Sequence, residues 1–294
     1  MLITTIFYHT DNFCKRSEKE LSRYFLPNRK RKRKTRLTLS EILTICIYFQ
    51  CSGYKNFKTY YCQHVCKVLR TAFPTLVSYN RFVELQREAV IPLRLLSIYL
   101  NQKQYHGIAF IDSTPLRVCH IKRSYSHKTF KNIAAKSRTS VGYFFGFKLH
   151  VIIANTGEII SFTITKANVA DNNPHLIGSL TKTVTGKLFG DRGYIINNKL
   201  RNNLFSRGLS VITRIRSNMK NCLMHIYDKL MLKKRGVIES VFAILKETFS
   251  IEHSRHRSNT GFLVNAYSAL IAYAFKSSKP KVNLQNKVLL DAIS

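Results

Sequence analysis

The chain has 294 residues and 45% of them are hydrophobic, which allows a sizeable core and argues against global disorder. Its 48 lysines and arginines against 15 aspartates and glutamates give a formal net charge of +33, which indicates a polyanionic partner such as nucleic acid, not a membrane surface. No apolar stretch reaches the roughly 20 residues of a membrane span, so we expect a soluble, cytoplasmic protein whose length suggests two domains.

The first 36 residues end in a basic run that cannot pack into a core, because like charges repel. We predict that this segment is a solvated arm that grips DNA phosphates, and a charged surface loop is the alternative interpretation. The residues assigned to this DNA contact are Arg29, Lys30, Arg31, Lys32, Arg33 and Lys34.

Residues 37–104 are predicted to form a helical domain, because apolar residues recur at helical spacing. Thr38 or Ser40 can cap the first helix, and Glu41 supplies an acid to its first turn. This part is either a DNA-binding domain or a bundle that only supports the next domain. Further helices are predicted over 57–73 and 79–100, the latter interrupted at Pro92.

The seven cysteines are irregularly spaced, and we expect free thiols in a reducing compartment. Cys62 and Cys66 have the spacing of half a zinc site, but no second ligand pair follows at finger spacing. At positions i and i+4 of a predicted helix, they are expected to be small buried apolar side chains.

Residues 105–278 change in character, because short apolar runs alternate with turns and helical patterns. This order predicts an α/β domain with a mixed sheet flanked by helices. The remaining segment, 279–294, is a tail without an assigned role. The predicted strands are 107–112, 142–153, 159–165, 187–190 and 209–215, and the predicted helices are 171–183, 198–207, 235–250 and 260–276.

Two aspartates follow apolar runs of this domain directly, Asp112 after Phe-Ile and Asp191 after Leu-Phe-Gly. If their strands are neighbours, both carboxylates emerge at the same end of the sheet, where such folds place ligands. Two adjacent carboxylates repel each other, and a divalent cation such as Mg²⁺, which prefers oxygen ligands, removes that penalty.

Glu239 is the predicted third acid. On a helical wheel Arg235 lies at about −40° and Lys246 at about −20° from it, so the three form one stripe that borders the apolar face. An acid at a strand end is often a simple turn former, and each signal alone is weak. Asp171 could compete as a ligand, but it precedes a predicted helix and is expected to be its N-cap. His120, His127 and His150 are given no role.

Together these segments resemble the motifs of DDE transposases of bacterial insertion sequences, in particular the family numbered nine hundred and eighty-two. The residues that carry the resemblance are Asp112 in Ile-Asp-Ser-Thr, Asp191 in Gly-Asp-Arg-Gly-Tyr and Glu239 in Arg-x3-Glu-x6-Lys, within roughly residues 37–276. Related families have a tyrosine three residues before the arginine of the third motif, where this chain has Leu232. That departure concerns the accessory tyrosine and not the three acids.

The resemblance implies an RNase H-like catalytic domain that binds two Mg²⁺ (or Mn²⁺) ions at Asp112, Asp191 and Glu239. It implies cleavage of double-stranded DNA at the terminal inverted repeats and joining of the 3′-hydroxyl ends to target DNA, by a homodimer assembled on DNA. Arg235 and Lys246 would steady Glu239 and contact phosphates, and Arg192 is a further candidate DNA contact. A resolvase-type nuclease and a non-catalytic DNA-binding remnant are the alternatives.

Overall fold

The structure, a computed structural model, describes residues 2–20, 35–214, 223–253 and 256–283. The basic run Arg29–Lys34 and Cys222 lie outside the described residues. The helices are α1 (Ile3–Arg16), α2 (Leu39–Cys51), α3 (Phe57–Thr59, continued by π-helical Tyr60–Val65), α4 (Tyr79–Glu88), α5 (Val90–Asn101), α6 (Pro174–Leu180), α7 (Asn198–Ser206), α8 (Ile226–Lys234), α9 (Val237–Ala243, continued by π-helical Ile244–Thr248) and α10 (Asn259–Ala274). The strands are β1 (Tyr105–Cys119), β2 (Ala135–Thr139), β3 (Gly142–Ala154), β4 (Ile159–Lys166), β5 (Val184–Gly190) and β6 (Leu209–Thr213).

The chain forms two compact units, whose boundaries differ from the predicted domain division at residues 104 and 278. One unit comprises Met1–Leu100 with Leu245–Lys276, and the other comprises Asn101–Ile244 with Ser277–Ser294. The last long helix, α10, therefore belongs with the N-terminal helices. Residues 277–283 belong with the sheet, where the Val282 amide donates a hydrogen bond to the Asn155 carbonyl.

The first unit is helical, as predicted, and its second helix begins at the predicted cap. The Thr38 hydroxyl accepts a hydrogen bond from the Glu41 amide, and the Glu41 carboxylate accepts one from the Thr38 amide, which completes a capping box. Within the core of this unit, the Gln50 amide donates to the Asn265 side chain at 2.8 Å, which ties α2 to α10.

The second unit is built on one mixed sheet with the strand order β2-β3-β1-β5-β6, and β4 also pairs with β3. The strands β1, β3 and β4 form an antiparallel meander, and β5 and β6 continue the sheet parallel to β1. This arrangement is the RNase H-like topology that the resemblance implied. The predicted hairpin strands over 142–153 and 159–165 are confirmed as β3 and β4.

Helices pack against this sheet through apolar side chains, and along the central strands these side chains alternate between the two faces of the sheet. Leu176 of α6 and Leu204 of α7 belong to one buried cluster with Ile111 and Leu188 of the sheet. Phe110, one residue before Ile111, points to the opposite face because side chains alternate along a strand. The continuous apolar runs of β1 and β5 are thus explained by burial on both faces.

Several predicted elements differ from the structure. The helix predicted over 57–73 already ends at Val65, and the interruption predicted at Pro92 lies at Ala89. The first strand does not end at Asp112 but continues to Cys119. The helix predicted over 171–183 is the shorter α6, and Asn173, not Asp171, caps it by accepting hydrogen bonds from the amides of residues 175 and 176. The helix predicted over 235–250 is α9 with its π-helical continuation, and α8 before it was not predicted.

The six cysteines among the described residues are free thiols, as predicted. Cys62 and Cys66 are partly exposed, so the prediction that they are buried is wrong. None of the helices that the structure describes is long and apolar enough to cross a membrane.

Candidate active site

Strand register brings Asp112 and Asp191 side by side. The parallel pairing of β1 with β5 runs to Phe110 opposite Phe189. Both aspartates lie two residues beyond this last pair, so at equal offset their side chains face the same side of the sheet. The charge of Asp191 acts on Asp112 and is one of the causes that raise its pKa. The prediction that the two strands are neighbours is confirmed.

The glycines on either side of Asp191, Gly190 and Gly193, allow neighbouring groups to pack closely around this aspartate. A Cβ on Gly190 would lie 3.0 Å from the Ile111 methyl group and 3.1 Å from the Tyr194 Cβ, so the close packing at this strand end has no room for a side chain. The Gly193 amide donates to Asp191 Oδ1 at 2.7 Å. A Cβ on Gly193 would lie 3.0 Å from that oxygen and 3.6 Å from Asp171 Oδ2. Gly193 therefore keeps open a space that two carboxylates border.

Arg235 connects Asp112 to Glu239. Its Nη1 donates to Asp112 Oδ2 at 2.5 Å, and its Nη2 lies 3.7 Å from Glu239 Oε1. Arg235 is the C-cap of α8, and Glu239 lies in the first turn of α9, one helical turn further on. Only 18% of the Asp112 side chain is exposed, against 68% of the Glu239 side chain. The guanidinium thus holds the third predicted acid near the first, while Glu239 stays largely in solvent.

Burial dominates the electrostatics of Asp112. Burial and, to a smaller extent, the charge of Asp191 raise the pKa of this carboxyl to about 6, although Arg235 and the Ser113 amide oppose the shift. A buried, negatively charged pair of carboxylates favours any cation that can approach it. In the described structure the cation that pairs with Asp112 is the Arg235 guanidinium.

A fourth acid, Asp171, adjoins the pair through Ser113. The Ser113 amide donates to Asp112 Oδ1 at 2.8 Å, and its hydroxyl donates to Asp171 Oδ1 at 3.0 Å. Lys148 Nζ donates to the same Asp171 oxygen at 3.2 Å. The cap predicted for Asp171 is wrong, and the structure places this acid beside the aspartate pair, the position that its alternative interpretation as a ligand needs. One feature of the sequence indicates this position for Asp171, namely Lys148, a cation with which an acid can pair. Lys148 lies on the same face of β3 as His150, and His150 is the register partner of Ser113.

The three histidines show structural contacts. His150 is fully buried, with Nε2 2.9 Å from the Thr165 hydroxyl and Nδ1 3.7 Å from Asp171 Oδ1. Burial lowers the pKa of His150 to about 4 and nearby Lys148 lowers it further, although Asp171 opposes the shift, so the ring is neutral at pH 7. His120 accepts a hydrogen bond from the amide of residue 122, and His127 packs against Phe130.

The described residues that were predicted to contact DNA lie in different units of the structure. Arg192 is exposed, directly after Asp191. Lys246 belongs to the helical unit and forms an ion pair with Glu252 at 2.7 Å. The stripe predicted for Lys246 assumed α-helical spacing, but π-helical bonding from Ile244 to Thr248 changes the angular position of residue 246.

Comparison with protein-family models matches residues 102–259 to the family described as "Transposase DDE domain". The fold defines the class: an RNase H-like domain, with an aspartate just beyond each end of its central parallel pairing. Because the match spans more than half of the chain, the chain belongs to the DDE transposase family and is a transposase enzyme.

Solved structures give a weaker likeness. The "Mos1 transposase paired-end complex with left transposon end" has 14% identity and a TM-score of 0.25, over 90% of this chain and 88% of that chain. The "Crystal structure of the Mos1 mariner paired end complex with Mn" has 13% identity and a TM-score of 0.23, over 91% and 88%. A search of curated proteins finds no match.

DDE transposases use divalent metal ions, and the donor chemistry of this site suits such an ion. Asp112 and Asp191 supply hard oxygen ligands of the kind that Mg²⁺ takes. Asp191 Oδ2 has no hydrogen-bond partner among the described residues, and Gly193 leaves space beside the carboxylate. No three acidic, histidine or cysteine side chains of the described residues already stand in a metal-binding group. The aspartate pair therefore fits the ion, and a third ligand requires a shift of a neighbouring acid.

Proposed function

We propose that this transposase serves a bacterial insertion sequence, most similar to the family numbered nine hundred and eighty-two, and acts on the bacterial chromosome in the cytoplasm. It cleaves double-stranded DNA at the terminal inverted repeats of the element and transfers the 3′-hydroxyl ends to target DNA. The observation that supports the proposal is the parallel pairing that ends at Phe110 and Phe189, because Asp112 and Asp191 each follow it by two residues and the charge of Asp191 acts on Asp112.

Asp112, Asp191 and Glu239 are the proposed ligands of two Mg²⁺ or Mn²⁺ ions. Such a pair of ions would stabilise both the attacking and the leaving oxygen of an in-line displacement at phosphorus. The Ser113 amide orients Asp112, and the Gly193 amide orients Asp191. Arg235 leaves Asp112 when the site is loaded and, still beside Glu239, is free to bind a DNA phosphate.

The charge of +33 supports DNA as the partner, since phosphate contacts provide affinity without sequence information. The proposed contacts beyond Arg235 are Arg192, Lys246 and the basic run Arg29–Lys34. The helical segment 37–104 is proposed to bind the element ends, and residues 105–278 to carry the chemistry. Two ends must be joined in one event, so we propose a homodimer on DNA.

The test is an assay of nicking and joining on the DNA segment that carries the gene with its flanks, in Mg²⁺ or Mn²⁺. We expect Asp112→Asn, Asp191→Asn and Glu239→Gln to retain DNA binding and to lose cleavage by about 10³-fold or more. Asp228→Asn is the matched control, because this acid pairs with Lys187 away from the carboxylate pair. Full cleavage by any of the three variants would remove that residue from the site. Cutting without joining would indicate a resolvase-type nuclease.

A further inference from the structure

A basic and aromatic patch lies at the β2 edge of the sheet, and no predicted site residue belongs to it. The stretch 113–157 contains eight lysines and arginines and not a single aspartate or glutamate. Most of these cations are exposed. A surface of this kind is complementary to a polyanion.

Two tyrosines stand out of this surface, each next to a cation. Tyr125 is 84% exposed, and Lys136 Nζ lies 3.5 Å from the centre of its ring. Tyr143 is 65% exposed, and the Arg138 guanidinium lies 5.6 Å from the centre of its ring. We call these four side chains the tyrosine patch.

The sheet holds the tyrosine patch in one orientation. Lys136 and Arg138 are two residues apart on β2 and therefore share a face. Tyr143 is the register partner of Arg138 on β3, so its ring projects from that same face. The hairpin of β2 and β3 thus presents Lys136, Arg138 and Tyr143, and Tyr125 is added from the turn before β2, where its ring lies against Lys136.

One alternative explanation is that the lysine and arginine on this edge strand simply prevent it from pairing with another chain. That role explains the cations, but it does not explain two exposed aromatic rings beside them. Exposed rings add apolar surface that an anti-aggregation edge avoids, whereas rings flanked by cations are the arrangement that stacks on bases while binding phosphates.

We propose that the tyrosine patch binds unpaired nucleotides of the DNA substrate, with Tyr125 and Tyr143 stacking on bases and Lys136 and Arg138 contacting phosphates. Unpaired bases are required, because the faces of paired bases inside a duplex are covered by their neighbours. The inference rests on the proposed function, which makes DNA the partner, and adds a site for single-stranded DNA.

The experiment measures dissociation constants by fluorescence anisotropy, in EDTA and at one salt concentration, for a blunt duplex and for the same duplex with a single-stranded tail. We expect wild-type protein to prefer the tailed duplex, and Tyr125→Leu with Tyr143→Leu to lower affinity for it by about 10-fold while the blunt duplex is bound as before. Phe205→Leu is the matched control, because this ring is also exposed, at 71%, on the same unit.

A second pair of variants tests the charges. Lys136→Gln with Arg138→Gln is expected to weaken tail binding more than Lys199→Gln with Arg201→Gln, which removes two exposed cations at the same spacing elsewhere on the unit. An iodouracil-substituted tail should crosslink to Tyr125 or Tyr143 on irradiation, as mapped by mass spectrometry.

Equal effects of the tyrosine variants and Phe205→Leu, or a crosslink elsewhere, would overturn the inference. A change in oligomeric state of the tyrosine variants would also overturn it, since the patch would then bind a second copy. Wild-type protein that nicks DNA but has no preference for the tail refutes this inference alone. Failure to bind either DNA refutes the proposed function as well.

Discussion

The acids borne by strands and the acid borne by a helix are held in different ways. Asp112 and Asp191 are fixed by strand pairing and by backbone amides next to them. Glu239 is largely exposed, and Arg235 connects it to Asp112. The strands and their amides thus hold two carboxylates in place, while the third is held only by an arginine and would be free to move if a bound cation took the place of that arginine. The predictions below test this division.

The largest expected difference concerns metal binding without DNA. We expect Asp112→Asn or Asp191→Asn to abolish Mn²⁺ binding, whereas Glu239→Gln weakens it only several-fold, because Glu239 is not in contact with the pair. Titration of the protein with Mn²⁺, followed by electron paramagnetic resonance of the free ion, measures this. Equal loss in all three variants would mean that the helix acid is as preorganised as the strand acids.

Gly193→Ala should disturb the strand-borne pair alone. The new Cβ would lie 3.0 Å from Asp191 Oδ1 and would displace that carboxylate by a few tenths of an ångström. We expect about a tenfold loss of cleavage with an unchanged fold, since small displacements of catalytic groups are costly. Gly178→Ala is the control, because a Cβ there meets nothing within 4 Å. Parallel loss in both variants would contradict the assignment.

Arg235→Gln should remove the ion pairs that connect Asp112 on the sheet to Glu239 on the helix. Without the guanidinium, Asp112 loses its competing cation, and we expect Mn²⁺ to bind several-fold more tightly in the absence of DNA. The same variant should cleave more slowly if Arg235 later holds a phosphate. Arg235→Lys keeps the charge and serves as the control. Weaker Mn²⁺ binding by Arg235→Gln would show that the arginine supports the site and does not compete with the ion.

The smallest expected effect is on stability. The folded-state pKa of Asp112, about 6, is above its usual value of 3.8, so its contribution to stability is full below about pH 4 and is lost as the pH rises through 6. In EDTA at pH 7.5, Asp112→Asn should therefore be more stable than the wild type by about 1–3 kcal/mol, or a few degrees in Tm. The difference should vanish near pH 4. Thermal melts across this range measure it, and a difference independent of pH would contradict the cause.

The sequence predicts much of the sheet because its signals are local. Apolar runs followed by Asp112 and Asp191, the hairpin of β3 and β4, and the Thr38 cap all depend on neighbouring residues. What it does not predict depends on distant partners. The continuation of β1 beyond Asp112 is stabilised by β3, and Asp171 finds its partners on two other strands. The π-helical turn that displaces Lys246 has no recognised local signature.

The unequal lengths of β1 and β5 have a consequence for recognition. Past Phe110, β1 runs on to Cys119 with β3 on one side, while β5 has already ended and no longer pairs with it. On that side β1 has no strand partner beyond Phe110, and main-chain groups without a strand partner are of the kind that contact a sugar–phosphate chain of any composition. If DNA binds along this part of β1, as proposed, the choice of bases at the cleavage site would have to come from side chains elsewhere on the protein.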